Sequence, residues 1–231
     1  MLGCILALLG CSPPSATVAD ATDSQYDAAE MWTTLFDGSL SPAWRMSTIV
    51  NQPADRDDPG RFDVVDGALL AVPGEDIGLL WHTTPAPPDF ELVLEWRQSS
   101  PDDNSGVFVR FPDLDGFGYD NTAYVAVHYG FEIQIDNNGF PDGAAKHKTG
   151  AIYDRDDQQY TAVPARAVGE WNDFRIRVVG QLYTVELNGA QTTRFTNPEP
   201  QRGTMSPAFI GLQTHPAPGS IAYRNIKIRA L

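Results

Sequence analysis

The chain reads as an all-β sandwich. Three observations predict it. Alternating apolar and polar runs are separated by Asn-Gly and Asp-Gly turns, the runs recur at regular spacing from about residue 31 onward, and no segment keeps a helical period beyond a turn or two. With 231 residues and 42% hydrophobic content, the chain can fill the core of one such domain, and its 20 glycines and 18 prolines suit many turns.

Taken in order, "FDVVDGALLAV" reads as a hairpin around Asp66-Gly67, and "FELVLEWRQ" (Phe90 to Gln98) as a long half-buried strand. "DDNSGVFVRF" places Asn104-Ser105-Gly106 at a turn and sets Arg110 in an otherwise apolar strand. An arginine there either pairs with a carboxylate or grips a substrate oxygen through its fork of donors. The segment from Phe111 to Gly130, rich in Gly, Asp and aromatics, reads as a long loop feeding the next strand. In that strand, "GFEIQIDNNG", Phe131, Ile133 and Ile135 alternate with Glu132, Gln134 and Asp136. Successive strand residues face opposite ways, so one face is apolar and the other carries two carboxylates and an amide. "DNNGFPDG" reads as a turn, since it lacks the regular ligand alternation of a calcium loop.

Further on, "WNDFRIRVVGQLYTVELNGAQTTRF" gives strands turning near Gly180-Gln181 and again at Asn188-Gly189. "IGLQTHP" puts Gln213 and His215 on one strand face, and "IAYRNIKIRAL" closes the sandwich. Trp44 and Trp81 read as core, with a sugar-stacking platform as the alternative.

The opening "MLGCILALLGCSPPSATVAD" resembles a bacterial lipoprotein signal, with Cys11 as the lipidated residue, although no Lys or Arg precedes the apolar run. The run is too short to span a membrane as a helix. The expected organisation is a signal at 1–11, a tether at 12–30 and one sandwich at 31–231, exported to the periplasm or cell surface. Cys4 and Cys11 are the only cysteines, so the expected mature domain has neither a thiol nucleophile nor cysteine-held zinc. A net charge of -14 argues against binding to nucleic acid or to an anionic membrane surface, and leaves a lipid anchor as the expected membrane contact.

No nucleophile elbow, zinc-protease motif or phosphate loop occurs, and His82, His128, His147 and His215 lie far apart in sequence. "LFDGSLSPAW", "FDVVDGALLA", "FELVLEWR", "NSGVFVRF", "FEIQIDN", "TGAIYD", "GEWNDFRIRV", "LNG", "IGLQTH" and "YRNIKIRAL" stand in one order from about Leu35 to Leu231. In that order they resemble the 3-keto-disaccharide hydrolase family. The resemblance implies a concanavalin A-like jelly roll whose sheet forms a sugar cleft, and a substrate already oxidised at C3. By the same matching it puts Glu132, Gln134 and Asp136 in the cleft, lined also by Asn104, Arg110, Tyr153, Gln213 and His215.

The related laminarinase-like hydrolases carry Glu, Asp and Glu at alternate positions of such a strand. Here Gln134 cannot act as an acid, and Cα atoms four residues apart lie roughly 13 Å apart. A retaining pair needs carboxyls about 5 to 5.5 Å apart, so that route is disfavoured. A 3-keto sugar offers another, because its ketone acidifies the C2 proton. Glu132 or His215 would be the base and Arg110 the enolate partner, with Asn104, Gln134, Asp136, Tyr153 and Gln213 binding sugar. A divalent cation held by Glu132, Asp136 or His215 would be an alternative electrophile. The other readings are a carbohydrate-binding module without turnover and a two-carboxylate glycosidase on unoxidised glucans.

Overall fold

The computed structural model describes residues 31–53, 57–216 and 219–231. The expected signal, the tether and the lipidated Cys11 lie outside the described residues. Strands β1 (Thr33–Phe36), β3 (Arg61–Val65), β4 (Ala68–Val72), β6 (Phe90–Gln98), β9 (Gln159–Tyr160), β10 (Asn172–Val179), β11 (Leu182–Leu187), β12 (Ala190–Thr196) and β14 (Ile221–Ala230) form one sheet. Its order is β3-β4-β14-β6-β10-β11-β12-β9, with β1 also paired to β14. The second sheet runs β2 (Trp44–Met46), β5 (Gly78–His82), β13 (Phe209–Thr214), β7 (Ser105–Phe111), β8 (Phe131–Ile135). All the pairings are antiparallel, and the two sheets make the expected jelly-roll sandwich.

Between the sheets pack Leu94, Trp96, Phe174, Tyr183 and Tyr223 from the large sheet. Leu80, Val107, Val109, Phe131, Ile133, Ile135 and Leu212 meet them from the small one. Each such side chain contributes roughly 1.5–3 kcal/mol by leaving water, which pins the register of β8 with its apolar face inward. Trp44 belongs to this core, as the sequence predicts.

The small sheet is also covered on its outer face, over part of its width. Leu79, Trp81, Phe108, Phe111 and Phe209 form a second cluster under Leu114, Ala123, Val125 and Ala126. The last three lie on or beside the first turns of a short helix, α1 (Ala123–Tyr129). The loop expected from Phe111 to Gly130 therefore folds down as a cover with a helix in it. Asn121 secures it, accepting the amide of Ala123 and donating to the carbonyl of Ile77 at 2.8 Å.

The free edge of β8 is closed by the chain around residues 149–153. Gly150 donates to the carbonyl of Gln134, Gln134 to that of Ala151, and Tyr153 to that of Glu132, at 2.9 to 3.0 Å. The edge is thus paired and cannot template another strand.

Candidate functional site

Strand alternation sets the floor of the site. Leu80, Val107, Leu212 and Ile133 face the inter-sheet core, so Leu79, Gly106, Phe108, Glu132, Gln134 and Gln213 share the outer face. Phe108 is paired with Glu132 and with Gly211, and Gly106 is paired with Gln134. Gln213 stands one step beyond the Leu212–Val107 pair, on the other flank of Gly106. The apolar cover occupies one end of this face, and the polar row lies at the other.

Glu132 bends from its own row over Gly106. A Cβ at position 106 would lie 2.0 Å from Glu132 Oε1 and 2.6 Å from its Cγ, so only glycine leaves room for this carboxyl. The sequence places Gly106 in a turn; the structure puts it inside β7, where a strand glycine commonly marks a close approach. Glu132 is 9% exposed and has no cation beside it among the described residues. Burial pushes its pKa from 4.5 up to about 8. The Gln134 amide lies 3.4 Å from Asn104. Turned so that its nitrogen meets acceptors, it donates to Glu132 Oε1 at 3.1 Å and to the Ser105 carbonyl at 3.2 Å.

Three further groups belong to this end of the small sheet. Tyr153 adjoins Glu132 through the backbone, and burial first, then the charge of Glu132, raises its phenol pKa. Gln213 is buried and its Oε1 meets no partner among the described residues. His215 follows β13 directly, so Thr214 ends the strand and His215 stands at its mouth rather than within it. Burial lowers its imidazole pKa against the opposing pull of Asp136 and Asp76, and its Nδ1 meets no partner among the described residues.

Asp136 has a different task. Its carboxylate accepts the backbone amides of Asn138, Gly139 and Phe140 at 2.8 to 2.9 Å and so winds the 136–140 turn. Beside this turn lies a cavity of about 490 Å³, lined by Asp102, Asn104, Asp136, Phe140, Pro141 and His215, among others. Its size falls within the roughly 300–1,000 Å³ of small-molecule sites. Asn104 is common to the cavity and to the Glu132–Gln134 row.

Arg110 is not part of this site, which corrects its placement as enolate partner. β7 carries a bulge opposite Phe209–Ile210, and Arg110 sits at its crest with φ +60°. The bulge turns the side chain away from the outer face. Its guanidinium donates to the carbonyls of Pro88 and of Gly180 and lies 3.6 Å from Asp89. It ties turns of the large sheet to β7.

Two features escaped the sequence reading. His147 is buried, bonded through Nδ1 to Asp142 at 2.8 Å, with its ring 5.2 Å from that of Tyr153. Phe140 is 69% exposed at the rim of the cavity. Among the described residues no group of three His, Cys, Asp or Glu side chains is arranged to hold a metal ion.

A sequence model of the 3-keto-alpha-glucoside-1,2-lyase-like domain matches residues 31–229. The chain belongs to this family. The family match thus covers both sheets and every residue of the site. A candidate glycosyl hydrolase from Parabacteroides distasonis shares 26% identity and superposes with a TM-score of 0.65, over 87% of this chain and all of that one. A galectin-like protein of unknown function from Bacillus subtilis matches at 14% identity and TM-score 0.57, over 86% and 98% of the two chains. The carbohydrate-binding module CBM66 from Bacillus subtilis matches at 11% identity and TM-score 0.50, over 81% and 96%. The last two share the fold alone. No curated protein matches the chain.

Proposed function

We propose that this domain cleaves 3-keto-glycosides, with Glu132 removing the proton at C2. The observation that carries the reading is the carboxyl of Glu132, buried over Gly106 with no cation beside it among the described residues and with a pKa raised to about 8. A carboxylate of that basicity is better matched to a C–H acidified by a neighbouring ketone than an ordinary glutamate would be.

In the first step Glu132 takes the C2 proton and the electron pair forms the enolate across C2 and C3. The Asn104 and Gln213 amides would meet the enolate oxygen, the part that Arg110 cannot play. The enolate then re-forms the ketone and a C1–C2 double bond, and the C1–O bond breaks. The departing oxygen takes a proton, for which the neutral phenol of Tyr153 is placed beside Glu132. Water adds to C1 of the enone and gives its proton to the Tyr153 phenolate, while C2 regains a proton from Glu132. The net reaction is hydrolysis, and it uses one carboxyl instead of two.

The decisive assay gives the purified domain a 3-keto-disaccharide and, separately, its unoxidised parent. Monosaccharide release from the oxidised sugar alone is expected. Release from both would favour a two-carboxylate glycosidase, and release from neither a binding module. Export remains part of the proposal: Cys11→Ala should shift the protein out of the membrane fraction, and unchanged fractionation and mass would refute a lipid anchor at that residue.

A further inference from the structure

We infer that the cavity between the 136–143 turn and His215 is a second sugar subsite, in which Phe140 stacks on the ring of the departing sugar. The inference rests on the proposed function for the placing of the reacting ring, over Glu132. Asn104 joins that position to the cavity, because it lies 3.4 Å from Gln134 on one side and lines the cavity on the other. A second pyranose linked through C1 of the first would extend from the row into this space.

The wall that presents Phe140 is built to hold still. Asp136 accepts three backbone amides of the turn. Asn138 donates to Asp102 at 2.9 Å and to the carbonyl of Pro101 at 3.2 Å, and Asn137 donates to Gln98 at 2.7 Å. Yet Phe140 belongs to neither apolar cluster of the described residues: its side chain is 69% exposed while the buried core holds most of the other phenylalanines. A phenylalanine left in water on a fixed turn forgoes the burial that such a side chain usually gains. It offers a flat aromatic face to a ligand that has an apolar face of its own, and the C–H face of a pyranose is such a surface.

Polar groups stand where the hydroxyl edge of the same ring would point. Asp102 and Asn104 line one side, and His215, whose Nδ1 has no partner among the described residues, lines the other. An aromatic platform with a few convergent polar groups is how sugar and other small-molecule sites fix orientation.

The test is equilibrium binding, which does not depend on turnover. α,α-Trehalose, with two rings, and methyl α-glucoside, with one, are titrated into the full chain and into Phe140→Ala and Phe140→Trp, with folding checked by circular dichroism. Trehalose should bind the native protein more tightly than the methyl glucoside. Phe140→Ala should weaken trehalose by about tenfold and leave the methyl glucoside within about twofold, while Phe140→Trp keeps the trehalose affinity. Equal weakening of both ligands, or no weakening of trehalose, would overturn the subsite. Loss of catalysis on 3-keto sugars with this binding pattern intact would count against the proposed reaction and not against the subsite.

Discussion

Glu91 and Glu132 are both buried glutamates on outer faces of the sandwich, and their surroundings give them opposite tasks. Glu91, on β6 of the large sheet, accepts from the guanidiniums of Arg175 and Arg229. Its charge is compensated on the spot, and it serves to hold neighbouring strands together. Glu132, on the small sheet, has the Gln134 amide and the open backbone of Gly106 beside it, and no ion-pair partner among the described residues. The same side chain is an ion-pair partner in one sheet and, in the other, a carboxyl whose pKa burial raises, which the proposed reaction uses as its base. What separates them is the presence of two arginines.

The largest effect should come from breaking the uncompensated side. Glu132→Gln is expected to lower turnover of a 3-keto-disaccharide by at least about a hundredfold, the weight of a general base. A steady-state assay with the melting temperature recorded alongside decides it. Glu91→Gln, by contrast, should leave turnover intact and cost about 1 kcal/mol of stability, because Arg175 and Arg229 are still partly solvated.

Gly106→Ala sharpens the comparison by moving the base without altering its chemistry. The new methyl would meet Glu132 Oε1 at 2.0 Å, so the carboxyl must swing aside. Turnover should fall about ten- to a hundredfold, as expected for a misplaced catalytic group, and the pH midpoint should shift. An unchanged rate and pH profile would mean that the seat over Gly106 has no catalytic importance.

The pH dependence follows from the direction of the Glu132 shift. Its folded pKa, near 8, exceeds the ordinary 4.5. Between those values the folded state alone keeps the proton, so this residue makes stability fall as pH rises through that window. Glutamine has no proton to lose. The melting temperature of Glu132→Gln relative to the native protein should therefore climb between about pH 5 and pH 8 and level off above. A constant difference would show that the carboxyl is not perturbed. Over the same range kcat/KM of the native protein on a 3-keto-disaccharide should rise, since in the proposed reaction only the ionised carboxyl removes a proton.

The smallest expected effect on catalysis is that of Arg110→Ala. It should loosen the fold by removing the donor to Pro88 and Gly180, while the folded fraction keeps its rate. A specific loss of turnover with unchanged stability would return Arg110 to the reaction.

Much of this contrast was legible in the residues, because period-two alternation carries it. Phe131, Ile133 and Ile135 lie in the core and Glu132 and Gln134 on the other face, as the pattern requires. Alternation fails where the register slips, and a one-residue bulge sent Arg110 elsewhere. Nor does it see what tertiary packing supplies. α1 forms where Ala123, Val125 and Ala126 cover the small sheet, and its sequence has no helical period long enough to announce it. Gly106 could have been suspected as a lone glycine among Val107, Phe108 and Val109, but only the path of Glu132 explains it. Asp136 looked like a third member of the polar row, and the turn that follows consumes its carboxylate.

The most direct measurement of the central claim is the exchange of the C2 proton of a 3-keto-disaccharide with deuterium from solvent, followed by NMR. The native protein should wash deuterium into C2 of the recovered substrate or product, and Glu132→Gln should abolish this while still binding the sugar. Exchange that persists at the native rate in Glu132→Gln would contradict the assignment of Glu132 as the base.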